Sequence, residues 1–264
     1  MADKKETQER YIVPGLVRGL AILTAFSHED QDFGVSDIAR KIGTTRSTAF
    51  RLAYTLEHLG FLQKGGNSKR YRITSRILDL GYSYLSSLDI VQRSGPVLED
   101  LRDSTNTSTH LIILDGREIV YVARCDSRMF FASTISVGTR LPAHATAPGR
   151  VLLSGMRSSD VVSLYDGIEL EKYTDQTPTS TSKLLDQLET DQKNGSVISW
   201  GFYDPKVTSI AAPVRDQTSS VIAAISVSCP MGTYERDEFE AKVLKLVERS
   251  AEGMSQAMGY WGER

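Results

Sequence analysis

Two apolar-periodic segments, 36–42 and 46–59, are separated by nothing more than Gly43-Thr44-Thr45. In the first, Ile38, Ala39 and Ile42 share one helical face behind an N-cap expected at Ser36, and Gly43 ends the run. In the second, Ala49, Leu52, Ala53, Leu56 and Leu59 recur at helical spacing, with Phe50 a further candidate, and Gly60 stops it. Two helices joined by so short a glycine-bearing turn read as a helix-turn-helix. A preceding helix over 16–26 supplies Leu16, Leu20, Leu23 and either Ile22 or Phe26, and 28–34 reads as a polar loop.

The first turns of the second helix place Thr45, Arg46, Ser47, Thr48 and Arg51 outward. Hydroxyls and guanidiniums bond phosphate oxygens and base edges, and this helix end is where a recognition helix enters the major groove. The alternative is a solvated polar face. Immediately after, 61–64 and 69–73 alternate around Gly65-Gly66-Asn67-Ser68, a β-hairpin with Leu62, Tyr71 and Ile73 inward and Lys64, Lys69, Arg70 and Arg72 outward. A basic hairpin after a helix-turn-helix suits backbone or minor-groove contact. The charge distribution agrees. Residues 35–76 hold nine basic and two acidic side chains, so this segment is +7 and the rest −9, although the whole chain is only −2.

Residues 75–88 follow with Ile77, Leu78, Leu80, Tyr84, Leu85 and Leu88 apolar, too many for a lone linker helix in water. Either the same chain covers them or a second copy does, and paired heads on paired half-sites favour self-association. Gly95-Pro96 should break the pattern, with a new helix over 97–103. Beyond it, 109–114 and 119–124 flank Asp115-Gly116 as a hairpin, and 130–135, 197–200, 207–214 and 221–228 read as further strands. Helices are expected over 184–193 and 238–258, and a mobile loop over 174–182. Strands mixed with flanking helices indicate α+β.

Two stretches of this body carry chemistry. In 138–150, Thr146 can cap a helix and Pro148 suits its first turn, so the N–H groups of Ala147, Gly149 and Arg150 would face a common space fit for a carboxylate; an ordinary capped helix is the plain alternative. In 225–229, Ser226 and Ser228 share one face of a strand and need either backbone partners or a ligand. Trp200, Phe202 and Tyr203, with Phe130 and Phe131, could wall an aromatic acid or simply form core.

The chain resembles IclR-type transcriptional regulators. The matching stretches are 35–40 (VSDIAR), 46–52 (RSTAFRL), 56–62 (LEHLGFL) and 71–73 running into 78–81 (YRI, LDLG), then 138–150 and 225–229. The resemblance implies a winged helix-turn-helix head with a small β-wing, a linker helix and a carboxy-terminal GAF-like α/β effector domain, assembled as a homodimer or homotetramer. It implies an effector pocket at Ala147, Pro148, Ser209, Ser226 and Ser228, with Asp204 matching an acidic family position in a stretch, 200–206, that is shorter than usual and lacks the usual acidic run; Gly149 joins the expected site through its N–H. The expected domains are 12–74, a linker over 75–93, and 94–264.

Other chemistries find little support. The four histidines (His28, His58, His110, His144) lack metal-site spacing, and there is no P-loop, GxGxxG or GxSxG. Cys125 and Cys229 form no CxxC pair, which suits buried thiols. A hydrolase using His144 with Cys229, or a DNA-binding dimer without a ligand, are the rival readings. With no run of about 18 apolar residues and a polar start, a cytoplasmic regulator is expected, needing no cofactor and no membrane. Its partners would be a double-stranded operator and a small organic acid, carboxylic or aromatic, with Ser36, Thr45, Arg46, Ser47, Thr48, Arg51, Lys64, Lys69 and Arg70 touching DNA.

Overall fold

The structure is a computed structural model describing residues 11–27, 30–65, 69–128 and 135–262. It divides into two compact units, Met1–Ser87 and Leu88–Arg264.

In the first unit, α1 (Pro14–Thr24) starts on a proline, which is pre-set for a helix's first turn. Only Ile22 and Leu23 of this helix are buried; Leu16 and Leu20, expected on the inward face, are 63% and 52% exposed. Periodicity locates an apolar stripe without saying what covers it. The expected loop before the next helix contains a short strand, β1 (Asp32–Gly34), which pairs with β3 (Arg70–Ile73), itself paired with β2 (Leu62–Lys64). Three residues are too few to display alternation, yet Phe33 is buried opposite Tyr71 and packs 4.8 Å from Phe26. The tip at 66–68 lies outside the described residues, as does His28.

Helix α2 (Val35–Lys41) is capped differently from expectation. Gly34 occupies the cap position, and its N–H donates to the Asp37 carboxylate at 3.1 Å, leaving Ser36 exposed inside the helix. An acid at the third helical position reaches back to the cap N–H and displaces the role read into Ser36. Gly43 (φ +62°) and Gly60 (φ +80°) end α2 and α3 (Arg46–His58) in the left-handed region that glycine tolerates. Ala49, Ala53 and Leu56 are buried, Leu52 is half-buried, and Phe50 and Leu59 are about half exposed (48% and 47%). Helix α4 (Ile77–Ser87) has no buried residue within its unit.

The second unit opens with α5 (Asp89–Thr105), where Pro96 lies inside the helix rather than breaking it. The missing proline N–H forfeits one backbone bond, while Ile90 before it and Leu98 and Leu101 after it are all buried, so both halves are packed. The sheet has six antiparallel strands in the order β6-β5-β4-β9-β8-β7: β4 (Ser108–Asp115), β5 (Glu118–Cys125), β6 (Arg140–Pro142), β7 (Val197–Trp200), β8 (Val207–Arg215) and β9 (Val221–Pro230). The expected strand at 130–135 falls outside the described residues except Ile135, which is not in a strand.

One face of the sheet carries α5 and α9 (Leu244–Ala257), the latter reached through a turn, Arg236–Glu238, and a π-helical turn, Phe239–Val243. Thr109 marks this side, its hydroxyl donating to Leu98 O of α5 at 2.8 Å. The other face carries α6 (Ala147–Ser154), with α7 (Ser158–Leu164) and α8 (Thr181–Asn194) beyond it; Ile112, Tyr121, Ala211 and Ala224 pack there against Ala143, Ala147 and Val151. The segment expected as a mobile loop at 174–182 is tied down, since the Thr177 hydroxyl donates to Phe202 O at 2.8 Å and α8 begins at Thr181.

Arg150 of α6 makes a bidentate pair with Asp191 of α8 (2.8 and 2.7 Å), both side chains under 8% exposed, and its guanidinium lies 4.5 Å from the Phe202 ring centre. Removing one member of such a pair strands a buried charge. Asp191→Ala should therefore cost about 3–5 kcal/mol of stability, read by denaturant unfolding of the full chain; a loss under ~1 kcal/mol, as for a surface pair, would show that the pair does not hold the two helices.

Candidate nucleic-acid interface and candidate ligand pocket

In the head, the turn between α2 and α3 is closed by Thr44 N–H donating to Ala39 O at 2.9 Å. Thr45 caps α3: its hydroxyl accepts from Thr48 N–H (3.3 Å) and donates to Thr48 Oγ1 (3.0 Å). Arg46, Ser47 and Arg51 stand exposed on the first turns, Thr48 is half-buried, and Phe50 and Tyr54 extend the face as a ring pair 6.2 Å apart.

Ion pairs sort eight of the nine cations of residues 35–76 into two groups; the ninth, Arg76, lies over the Phe61 ring, 5.6 Å from its centre. Arg40 is held by Asp37 and Lys41 by Asp30. Lys64 is held by Glu57 at 3.0 Å, which raises the ammonium's proton affinity. Arg70 bonds Asp32 and lies 3.3 Å from Asp37, while Arg72 reaches Asp32 at 3.4 Å; the Arg70 contact holds the Asp32 carboxyl below its ordinary value. Arg46, Arg51 and Lys69 have no ion-pair partner among the described residues. Their charge is available to an outside anion without first breaking an internal bond. Lys64 and Arg70, expected to touch DNA, are also wing braces.

In the body, register decides which side chains meet. Ser226 lies opposite His110 and Ala211, and Ser228 opposite Ser108 and Ser209, so these residues share the α6 face of the sheet. Cys229 and Thr109 belong to the other face. The hydroxyls of Ser209, Ser226 and Ser228 make no hydrogen bond among the described residues, although Ser226 is only 2% exposed. His110 beside them is 1% exposed, and both its ring nitrogens lack a partner. Its ring meets Tyr121 edge-on at 5.2 Å. Burial, with the nearby Arg124 charge second, drives the imidazole down to about 3, so it is neutral at ordinary pH. Sequence reasoning treated His110 only as one of four scattered histidines. The available signal was strand parity: Ser108 and His110 are two apart in β4 and so share a face, although Thr109 between them is polar too and hides the alternation.

The helix start at α6 departs from expectation. Thr146 caps it, but the Gly149 N–H donates to Thr146 Oγ1 (3.2 Å) and the Arg150 N–H to Thr146 O (2.9 Å). Pro148 has no N–H, so only that of Ala147 remains for an anion. Ala147, Pro148 and Gly149 are buried, and a Cβ on Gly149 would sit 2.2 Å from Ala143 O, so this turn is a packing contact first. Asp204 is exposed and accepts from Lys206 N–H at 2.8 Å. Phe130 and Phe131 lie outside the described residues; Tyr173 and Tyr203, rings 4.7 Å apart, stand with His144 in an aromatic group, and Trp200 packs instead on Phe239.

The rival nucleophile pair is not assembled. His144 Nε2 is bonded to Glu171 O at 3.0 Å in the α6 layer, whereas Cys229 is buried on the opposite face, where desolvation pushes its thiol up to about 11.

Two family signatures match the chain: "IclR helix-turn-helix domain" over residues 15–66 and "Bacterial transcriptional regulator IclR C-terminal" over 82–256. The chain belongs to the IclR family. Among its relatives is the HTH-type transcriptional regulator XynR of Escherichia coli (strain K12), 29% identical over 249 residues, covering 94% of this chain and 98% of that one. A putative transcriptional regulator from Rhodococcus sp. RHA1 superposes with a TM-score of 0.83 at 33% identity, covering 94% and 99% of the two chains. An IclR homolog from Microbacterium hydrocarbonoxydans, solved in complex with 4-hydroxybenzoate, has the same fold (TM-score 0.78, 22% identity, 93% and 99% covered). This chain is thus a DNA-binding transcriptional regulator of the IclR family, with a helix-turn-helix head and an α/β body. No helix among its described residues is long and apolar enough to cross a membrane.

Arg46→Ala and Arg51→Ala should each weaken binding to a duplex from the protein's own promoter region by about 1–3 kcal/mol if a base contact is lost. If the contact is to phosphate, the salt dependence should instead flatten by about one counterion. Titration at several salt concentrations separates the two, and full affinity in both variants would remove these arginines from the interface.

Proposed function

We propose that this IclR-family regulator binds its operator as a homodimer or higher homo-oligomer and that a small organic acid modulates this binding. The reading assigns DNA contact to Ser36, Thr45, Arg46, Ser47, Thr48, Arg51, Lys64, Lys69 and Arg70, with Arg46, Arg51 and Lys69 foremost because their charges have no ion-pair partner among the described residues. It takes 12–74 as the DNA-binding domain, 75–93 as linker and 94–264 as the effector-binding domain, working in the cytoplasm. The exposed apolar side chains of α1 and α4 (Leu16, Val17, Leu20, Leu78, Leu80) support self-association, since such surface is costly in water.

One observation carries the effector reading. Three serine hydroxyls on one sheet face, the buried Ser226 and the half-buried Ser209 and Ser228, have no partner among the described residues and stand beside the buried, unbonded His110 ring, where polar groups are ordinarily bonded. A ligand supplies what the chain does not. The aromatic group of Tyr173 and Tyr203, and the 4-hydroxybenzoate held by the Microbacterium homolog, favour an aromatic acid. Ala147, Pro148 and Gly149 would border the site, and Asp204 would stand at its rim. The body would then act as a sensor, transmitting a ligand's differential affinity for two packings to the heads rather than turning the ligand over.

Thermal unfolding against a panel of aromatic and short-chain carboxylic acids tests this, because a ligand that binds only the folded chain raises its melting temperature. At least one acid should raise it and change operator affinity. Ser226→Ala or Ser228→Ala should reduce that response by about 1 kcal/mol, one hydrogen bond's worth, with operator binding in the absence of ligand unchanged. An acid panel without effect on either readout would leave a ligand-independent DNA-binding dimer.

A further inference from the structure

A buried imidazole without hydrogen bonds loses the solvation of two ring nitrogens and gains nothing polar in return. His110 is in that state: 1% exposed, with neither Nδ1 nor Nε2 bonded, although Ser226 stands directly opposite it on β9 and Arg124 opposite it on β5. Arg124 is ion-paired with Asp126, at the end of β5. On the other side of the same strand, Thr109 has its hydroxyl bonded to α5. The fold therefore satisfies the polar residue that faces the helices and leaves unsatisfied the one that faces the serines.

Directly opposed residues on neighbouring strands have Cβ atoms about 4.5–5.5 Å apart, so a single ligand oxygen between them lies within hydrogen-bond reach of both side chains. We infer that His110 is a ligand-contacting residue of the effector pocket and that it recognises a hydroxyl group on the effector, shared with Ser226. This rests on the proposed effector site and specifies which ligand group meets which residue. A neutral imidazole offers one N–H and one lone pair, and a serine hydroxyl both donates and accepts. An ionised carboxylate only accepts, so it leaves the imidazole lone pair unused. A hydroxyl donates to that lone pair and accepts from Ser226 at the same time. The ring stays neutral because burial opposes its charge, which keeps the lone pair available. Tyr121, edge-on to His110 and itself buried, gives the hydroxyl-bearing end a flat wall, which suits a hydroxylated aromatic acid. The ligand class is a hydroxy acid whose hydroxyl is buried at the sheet.

The experiment measures melting temperature for the full chain and for His110→Phe, with hydroxy acids paired with their deoxy counterparts, 4-hydroxybenzoate with benzoate first. His110→Leu serves as the second variant. In the wild type, a hydroxy acid should raise the melting temperature more than its deoxy partner, and its affinity in His110→Phe should fall about fivefold, one hydrogen bond's worth, abolishing the hydroxyl preference. Ligand-free His110→Phe or His110→Leu should melt at or above the wild-type temperature, because an unsatisfied polar group has been removed. A hydroxyl preference that survives in both variants overturns the assignment of His110 while leaving the pocket standing. Failure of both variants to fold, or a lowered ligand-free melting temperature with an intact ligand response, makes His110 a packing residue and overturns it as well. A wild type that none of the acids stabilises overturns the effector site and this inference together.

Discussion

The pairing register of β4 with β9 is the constraint on which the body depends. With Ser226 opposite His110 and Val227 opposite Thr109, every polar residue of the two strands that lacks a partner goes to the α6 side, and Val227 and Ile225 go to the α5 and α9 side. A slip of one residue would reverse both assignments, placing serines against the apolar helices. Leu111, Ile225 and Val227 are all fully buried, so the register is enforced by core packing and not by the polar residues it arranges. The candidate pocket is thus a by-product of burying the opposite face, which keeps its geometry rigid whether or not anything occupies it.

A comparable separation operates in the head. Asp32, Asp37 and Glu57 neutralise the cations that brace the wing, while those at the start of the recognition helix have no ion-pair partner among the described residues. The exposed pairs contribute little stability individually. Their effect is positional: they fix Lys64 and Arg70 beside the turn of the hairpin, while Arg46, Arg51 and Lys69 have no ion-pair partner among the described residues. The fold of the head is held instead by Tyr71, Leu62, Ile22 and Ile38, which are among its most deeply buried side chains.

Much of this was legible from residues alone. The helix-turn-helix, the wing and five of the body's strands follow from spacing, glycine placement and alternation, because each spans enough residues for a period to repeat. What escaped had identifiable causes. β1 is three residues long and shows no period. Pro96 is tolerated because packing on both sides of it outweighs one lost bond, a tertiary effect that local rules do not contain. The N–H groups at α6 looked available because a sequence does not reveal that Thr146 takes two of them. His110 matches no metal or nucleophile spacing, and its meaning lies in the strand pairing that sets it opposite Ser226, which sequence alone does not display. The cap at Gly34 escaped because the Asp37 carboxylate accepts from the Gly34 N–H, so the helix starts before Ser36 and not behind it.

The capping role of Thr45 alters how inheritable variation in this region should be interpreted. Its hydroxyl is engaged with Thr48 at the very end of the recognition helix, so a change at either threonine reaches promoter output by fraying that end. A genetic screen scoring output alone would file such changes beside true base-reading substitutions. The two kinds separate on heating: a frayed cap grows worse with temperature, whereas a lost base contact persists undiminished in the cold.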